Sequence, residues 1–258
     1  MIKFFRKIRQ NLLNEGKTTR YFKYAIGEIV LVVIGILIAL TINNWNQEQS
    51  NNKNQIKYLK SIVFDLEKQL GYIDYQLKEE EDNFSDIEKL LSHYNENNGF
   101  ILNETILNYF GSVFDRTTYV VSRATYTELV STGDIRLISK EKIRNAIIVY
   151  YQDMQRRELI IQKNNDVKDF VLNPVFIQNI GLTTKGVLSS LPIKGIPLPP
   201  QLEQTKANLT DKNRLFEVVN IINLKWMSTF ATITWLKEDK KSTLNLIAVL
   251  NDELKVAE

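Results

Sequence analysis

Residues 25–42 read AIGEIVLVVIGILIALTI, and their reading decides the architecture. Glu28 is the only charged residue among them. Eighteen residues at about 1.5 Å each make a helix about 27 Å long, just enough for the hydrocarbon core of a bilayer. Tyr21, Phe22 and Tyr24 stand before the run and Trp45 after it, where aromatic side chains anchor at a membrane interface. A cleaved signal peptide is the competing reading. The basic leader suits one, but Ala39-Leu40-Thr41 is a poor small-x-small site and the 24-residue leader is long. A buried core helix rarely needs apolar residues on every face. The expectation is an uncleaved transmembrane helix over 19–46.

Charge sets the orientation. Lys3, Arg6, Lys7, Arg9, Lys17, Arg20 and Lys23 precede the span, and the next basic residue after it is Lys53. By the positive-inside rule the N-terminus is cytoplasmic and the rest lies outside, in the periplasm of an inner-membrane protein. Residues 1–18 are read as a cytoplasmic basic segment. Within it Ile2, Phe5, Ile8 and Leu12 share a face largely opposite Lys3, Arg6, Lys7 and Gln10, and Gly16 is a stop. Such a helix lies on a bilayer with anionic headgroups, with Lys3, Arg6, Lys7, Arg9 and Trp45 as interfacial anchors; a disordered basic leader is the plainer alternative. Beyond the leader the chain is near neutral, which gives no footprint for nucleic acid.

Within the span, Glu28 is costly unless it reaches headgroup water or Lys23. Gly35 and Ala39 form a small-xxx-small step that permits close helix approach. These three are the candidates for membrane-helix packing, including a homodimer.

Residues 47–258 are expected to form an extracytoplasmic antiparallel helical bundle. Apolar residues fall at Ile56, Leu59, Val63, Leu66, Leu70, Ile73, Leu77, Phe84, Ile87, Leu91 and Tyr94, a heptad seam broken only at Glu80. The seam could pack on this chain's own helices or, as a coiled coil, on a second copy. Partner helices follow. Ile143, Ile147, Tyr150, Met154 and Ile161 come after a cap at Ser139. Leu215, Val218, Ile222, Trp226, Phe230 and Ile233 come after Thr210 or Asp211, and Leu244, Ile247, Leu250 and Leu254 continue that pattern. Shorter helices are expected over 104–114 and 123–131, the second stopped by Gly133. Residues 172–210 hold all five prolines and read as an irregular connection.

The stretch FFRKIRQNLLNEGKTTRYFKYAIGEIVLVVIGILIALTINNWN resembles a family of uncharacterised membrane proteins abundant in Bacteroidota. The resemblance returns at YTELVSTGDIRLISKEKIRNAIIVYY, Tyr126–Tyr151. Thr41 departs from it, standing where glutamine is expected. The resemblance implies an N-terminal anchor and an extracytoplasmic helical domain. It carries no known activity and so transfers no catalytic residue.

No residue pattern supplies a reaction either. There is no cysteine, and His93 is the only histidine; Glu96 and Asp86 on its face are too few for a metal site. Glu79–Asp82 lacks the glycine and alternate spacing of a calcium loop. Ser50-Asn-Asn-Lys53 and Ser139-Lys-Glu-Lys142 fit Ser-x-x-Lys without its companion motifs. Arg156 and Arg157 read as a wet helix face before an anion site. No cofactor or metal is expected. The expected role is a structural or protein-interaction module of the envelope, with an unidentified envelope protein as partner and no catalysis. The alternative is a sensor of small molecules or peptides, its pocket lined by Tyr150, Tyr151, Trp226 and the 172–210 segment.

Overall fold

The computed structural model describes residues 18–181 and 202–257. The described residues are predominantly helical, and no strand occurs among them. They form α1 (Thr18–Asn97), α2 (Glu104–Phe114), α3 (Ala124–Thr132), α4 (Glu141–Val167), α5 (Asn173–Asn179), α6 (Leu202–Thr210) and α7 (Lys212–Ala257). A short 3-10 turn follows α3 at Asp134–Leu137, and a π-turn, Lys168–Leu172, follows α4. The chain divides into two compact units, Met1–Lys57 and Tyr58–Glu258.

In the first unit, every large apolar side chain from Ile26 to Ile42 is exposed. This is a helix long and apolar enough to cross a membrane. Thr41 satisfies its hydroxyl within the helix, donating to Leu37 O at 2.8 Å. The basic residues Lys3, Arg6, Lys7 and Arg9 lie outside the described residues.

In the second unit, the α1 seam packs within its own chain. Of the seam residues Leu59, Leu66, Ile73 and Ile87 are fully buried, and so are Ile62 and Leu90 beside them. Glu80 lies in the seam where the pattern places it, 1% exposed. One expectation about that seam needs correction. Asp65 and Gln69 are buried beside the apolar positions, so Glu80 is not the only acid there.

Pairing distances fix the directions of the three long helices. Going up α1, Asp74 meets Lys240 at 2.7 Å, Glu81 meets Lys237 at 2.8 Å, and Phe84 stacks on Trp226 at 5.6 Å. Going up α4, Lys140 meets Glu253 at 2.7 Å, Tyr150 meets Thr243 at 2.9 Å, and Arg157 meets Asp239 at 3.3 Å. α7 therefore runs against both, and α1 and α4 run the same way. The bundle is antiparallel only with respect to α7.

Local chemistry explains the shorter elements. Asn103 Oδ1 accepts from Ile106 N at 2.9 Å and caps α2. Gly133 closes α3 at φ 78, a left-handed conformation that suits glycine. Asp211 Oδ1 accepts from Asn213 N at 2.9 Å and Arg214 N at 3.0 Å, starting α7; these donors hold its carboxyl below the usual range. Lys140, not Ser139, occupies the cap position of α4, with no side-chain cap bond. The 172–210 segment is also less irregular than its prolines suggest. Pro174 sits at the start of α5, directly after the π-turn, and α6 occupies its far end. An aromatic core joins these pieces: Phe100 to Phe110 at 4.9 Å and Phe114 to Phe176 at 4.8 Å.

Candidate functional site

The functional question concerns the polar groups buried inside the helical unit. Three clusters of them hold parts of the connection between α2 and α3.

The first lies on α1. Asp65 Oδ2 accepts from Thr125 N at 2.9 Å, in the first turn of α3. The cap residue of α3, Arg123, contributes no side-chain cap bond, so a carboxylate 60 residues away supplies the cap and complements the helix dipole. Gln69 Oε1 accepts from Ser122 N at 2.7 Å, and Gln76 donates to Thr118 O. Tyr58 donates to Asp134 Oδ2 at 3.0 Å, and that bond leads the effects pushing its hydroxyl up to about 12.

The second cluster centres on Asp239, 2% exposed. Tyr119 donates to Asp239 Oδ2 at 2.6 Å, and the Arg157 guanidinium reaches Asp239 Oδ1 at 3.3 Å and Glu238 at 3.2 Å. Arg157 also lies over the Trp235 ring at 5.0 Å. Arg157 is therefore a structural member of the bundle, which corrects the wet-face reading. Only Arg156 keeps that character, exposed and paired with Asp153. Burial raises both the Asp239 carboxyl and the Tyr119 hydroxyl.

The third cluster is ionic. Lys225, 2% exposed, donates to Asp115 O at the end of α2. A cation there complements the carbonyl end of the helix. Glu80 and Lys168 complete the group. Burial raises the Glu80 carboxyl against the pull of Lys225 and Lys168. Burial and the neighbouring Lys225 hold Lys168 down at about 8. Glu80 Oε2 and the Thr229 hydroxyl both lack a partner in hydrogen-bond geometry.

One groove opens beside the second cluster. It has a volume of about 640 Å³ between α4 and α7, and Val149, Tyr150, Arg156, Arg157, Lys241 and Asn245 are among its lining. Of the side chains expected to line a sensor pocket one is found here, and residues 182–201 of the expected 172–210 lining lie outside the described residues. Tyr150 does line the groove. Tyr151 is buried in a stack with Tyr126 at 4.3 Å, and Trp226 stacks on Phe84 and Phe230. The Arg156 and Arg157 charges in the groove are each paired with a carboxylate.

The other sequence candidates stay apart. Gly35 has nothing within 4 Å of the position its Cβ would take, and Ala39 is exposed. Glu28 is half-buried, and Trp45 is 63% exposed. His93 Nε2 accepts from Ile101 N at 3.0 Å, so the ring serves to turn the chain beyond α1. Among the described residues no group of three or more His, Cys, Asp or Glu is placed to hold a metal.

No curated protein and no solved structure matches this sequence. A family model matches residues 28–184, running from the apolar segment through the first two buried clusters' α1, α3 and α4 members into α5. The chain belongs to that family, DUF6090, a family of unknown function.

Proposed function

We propose that this protein is anchored in the inner membrane by one helix, with its helical unit on the periplasmic side. There it acts as a structural or interaction module and carries out no chemistry of its own. The observation that carries the reading is the unbroken exposure of apolar side chains from Ile26 to Ile42. A soluble protein rarely leaves so large a contiguous apolar surface in water. The basic residues before the span and none until Lys53 after it support the orientation. The buried polar clusters support the absence of catalysis. Their charges are spent on capping helices and on holding the connection after α2, and where Arg157 and Asp239 border the α4/α7 groove they are paired with each other.

Membrane partition tests the anchor. After an alkaline carbonate wash the full chain is expected in the membrane pellet, and a chain lacking residues 1–46 in the supernatant. Full-length protein in the supernatant contradicts the proposal. The α4/α7 groove favours the sensor as a second reading. Under that reading short peptides raise the unfolding midpoint of the full chain, and Lys241→Glu removes the effect.

A further inference from the structure

The outer face of α7 carries a second heptad seam that the helical unit does not use. Phe216, Asn220, Asn223, Met227, Phe230 and Thr234 follow each other at spacings of 4-3-4-3-4, and all six are exposed. The exposures of Phe216, Met227 and Phe230 are 67%, 61% and 54%. From Phe216 to Leu236 the charged residues are Glu217, exposed beside the first seam position and not in the seam, and Lys225, which is buried on the other side of the helix. The seam is therefore an apolar and amide strip about 27 Å long without a charge. It ends at Lys237, which pairs with Glu81. Phe230 is held in place from beneath, stacked on Trp226 at 6.0 Å and beside Phe84 at 6.1 Å.

We propose that this seam pairs with the same seam of a second copy, forming a parallel two-stranded contact along α7. The choice of occupant follows from charge and symmetry. About a two-fold axis parallel to the helices each seam residue meets its own copy, so any charged position would face a like charge. This seam has none. Asn220 and Asn223 are self-complementary instead, since each amide both donates and accepts and can bond its copy across the axis. A polar Asn at such a position is the device that fixes register and selects two strands. In this frame Asn220 and Met227 fall at a positions and Phe216, Asn223 and Phe230 at d.

A strip four to five turns long is smaller than a standard stable interface. The association is weak in dilute solution and is completed by the high local concentration of a shared bilayer. In that one respect the inference rests on the membrane anchor proposed above. The seam lies outside the residues matched by the family model.

The absence of cysteine makes the test clean. Single cysteines are placed in the full chain at the seam (Asn220→Cys, Asn223→Cys, Met227→Cys) and on the exposed part of α4 (Lys142→Cys, Gln155→Cys). Cells are oxidised mildly, then separated into membrane and soluble fractions. Seam cysteines are expected to give a band at twice the chain mass, at least fivefold stronger than the α4 positions. Adding Met227→Lys to Asn223→Cys should abolish the band, with helicity unchanged because residue 227 is exposed. No dimer at the seam, equal dimer at the α4 positions, or adducts of another mass overturn the pairing. The fractionation separates this result from failure of the anchor: seam dimers in the soluble fraction sink the anchor and keep the pairing.

Discussion

At the scale of single residues, the buried charges decide more than the apolar ones. Glu80 interrupts the α1 heptad pattern, and from the pattern alone Glu80→Leu repairs it. The structure reverses that expectation. Leucine would remove a carboxylate whose charge acts on the buried Lys225 ammonium, and leaving a buried polar group less well satisfied costs about 1–3 kcal/mol. Urea unfolding of Glu80→Leu should show a loss of that order, and a gain in stability would refute the assigned cluster. The pH dependence follows from Lys168. Its folded value of about 8 lies below the ordinary 10.5. Between those values the unfolded chain holds a proton that the folded chain has lost, so stability rises with pH. The cost of burying the ammonium is fully present below about 8. Above 10 the sign turns. Tyr58 and Tyr150, both pushed up to about 12, keep protons that the unfolded chain releases. The urea midpoint should climb from pH 8 to 10, and Lys168→Met should flatten that climb. An unchanged climb in the variant would contradict the burial of Lys168.

At the scale of elements, two glycines predict opposite signs. Neither Gly71 nor Gly133 has any atom within 4 Å of the position its Cβ would take, so backbone conformation alone decides. Gly133 sits at φ 78, and Gly133→Ala should cost about 1 kcal/mol. Gly71 is inside α1, and Gly71→Ala should add about 0.5–1 kcal/mol. Thermal unfolding of the two variants checks both signs together. The same contrast shows what the sequence reveals about elements. Gly133, the Asn103 cap and the spacing of Ile143, Ile147 and Met154 act over a few residues, so the boundaries of α2 and α3 are readable without a structure. The partners of Asp65, Tyr119 and Lys225 lie 60, 120 and 110 residues away. Nothing local marks those side chains as buried: Asp65 and Lys225 look like ordinary exposed positions of a helix, and Tyr119 looks like part of a loop. Arg157 misleads for the same reason: its partners Glu238 and Asp239 and the Trp235 ring are on α7.

At the scale of the whole molecule, the long apolar stretch was the most legible feature, because composition alone makes it so. Its exposure from Ile26 to Ile42 agrees with that reading. The bundle's helix directions were not legible. Periodicity says which face of a helix is buried, while direction depends on the connections and on pairings such as Lys240 with Asp74. The central claim is that the helical unit stands outside the membrane from a cytoplasmic N-terminus, and paired reporters at the C-terminus test it most directly. Alkaline phosphatase fused after Glu258 is active only outside the cytoplasm, and a conventional green fluorescent protein exported by the general secretory route is bright only inside it. The account predicts high phosphatase activity and a dark fluorescent fusion at equal expression. A bright fluorescent fusion with inactive phosphatase would contradict it.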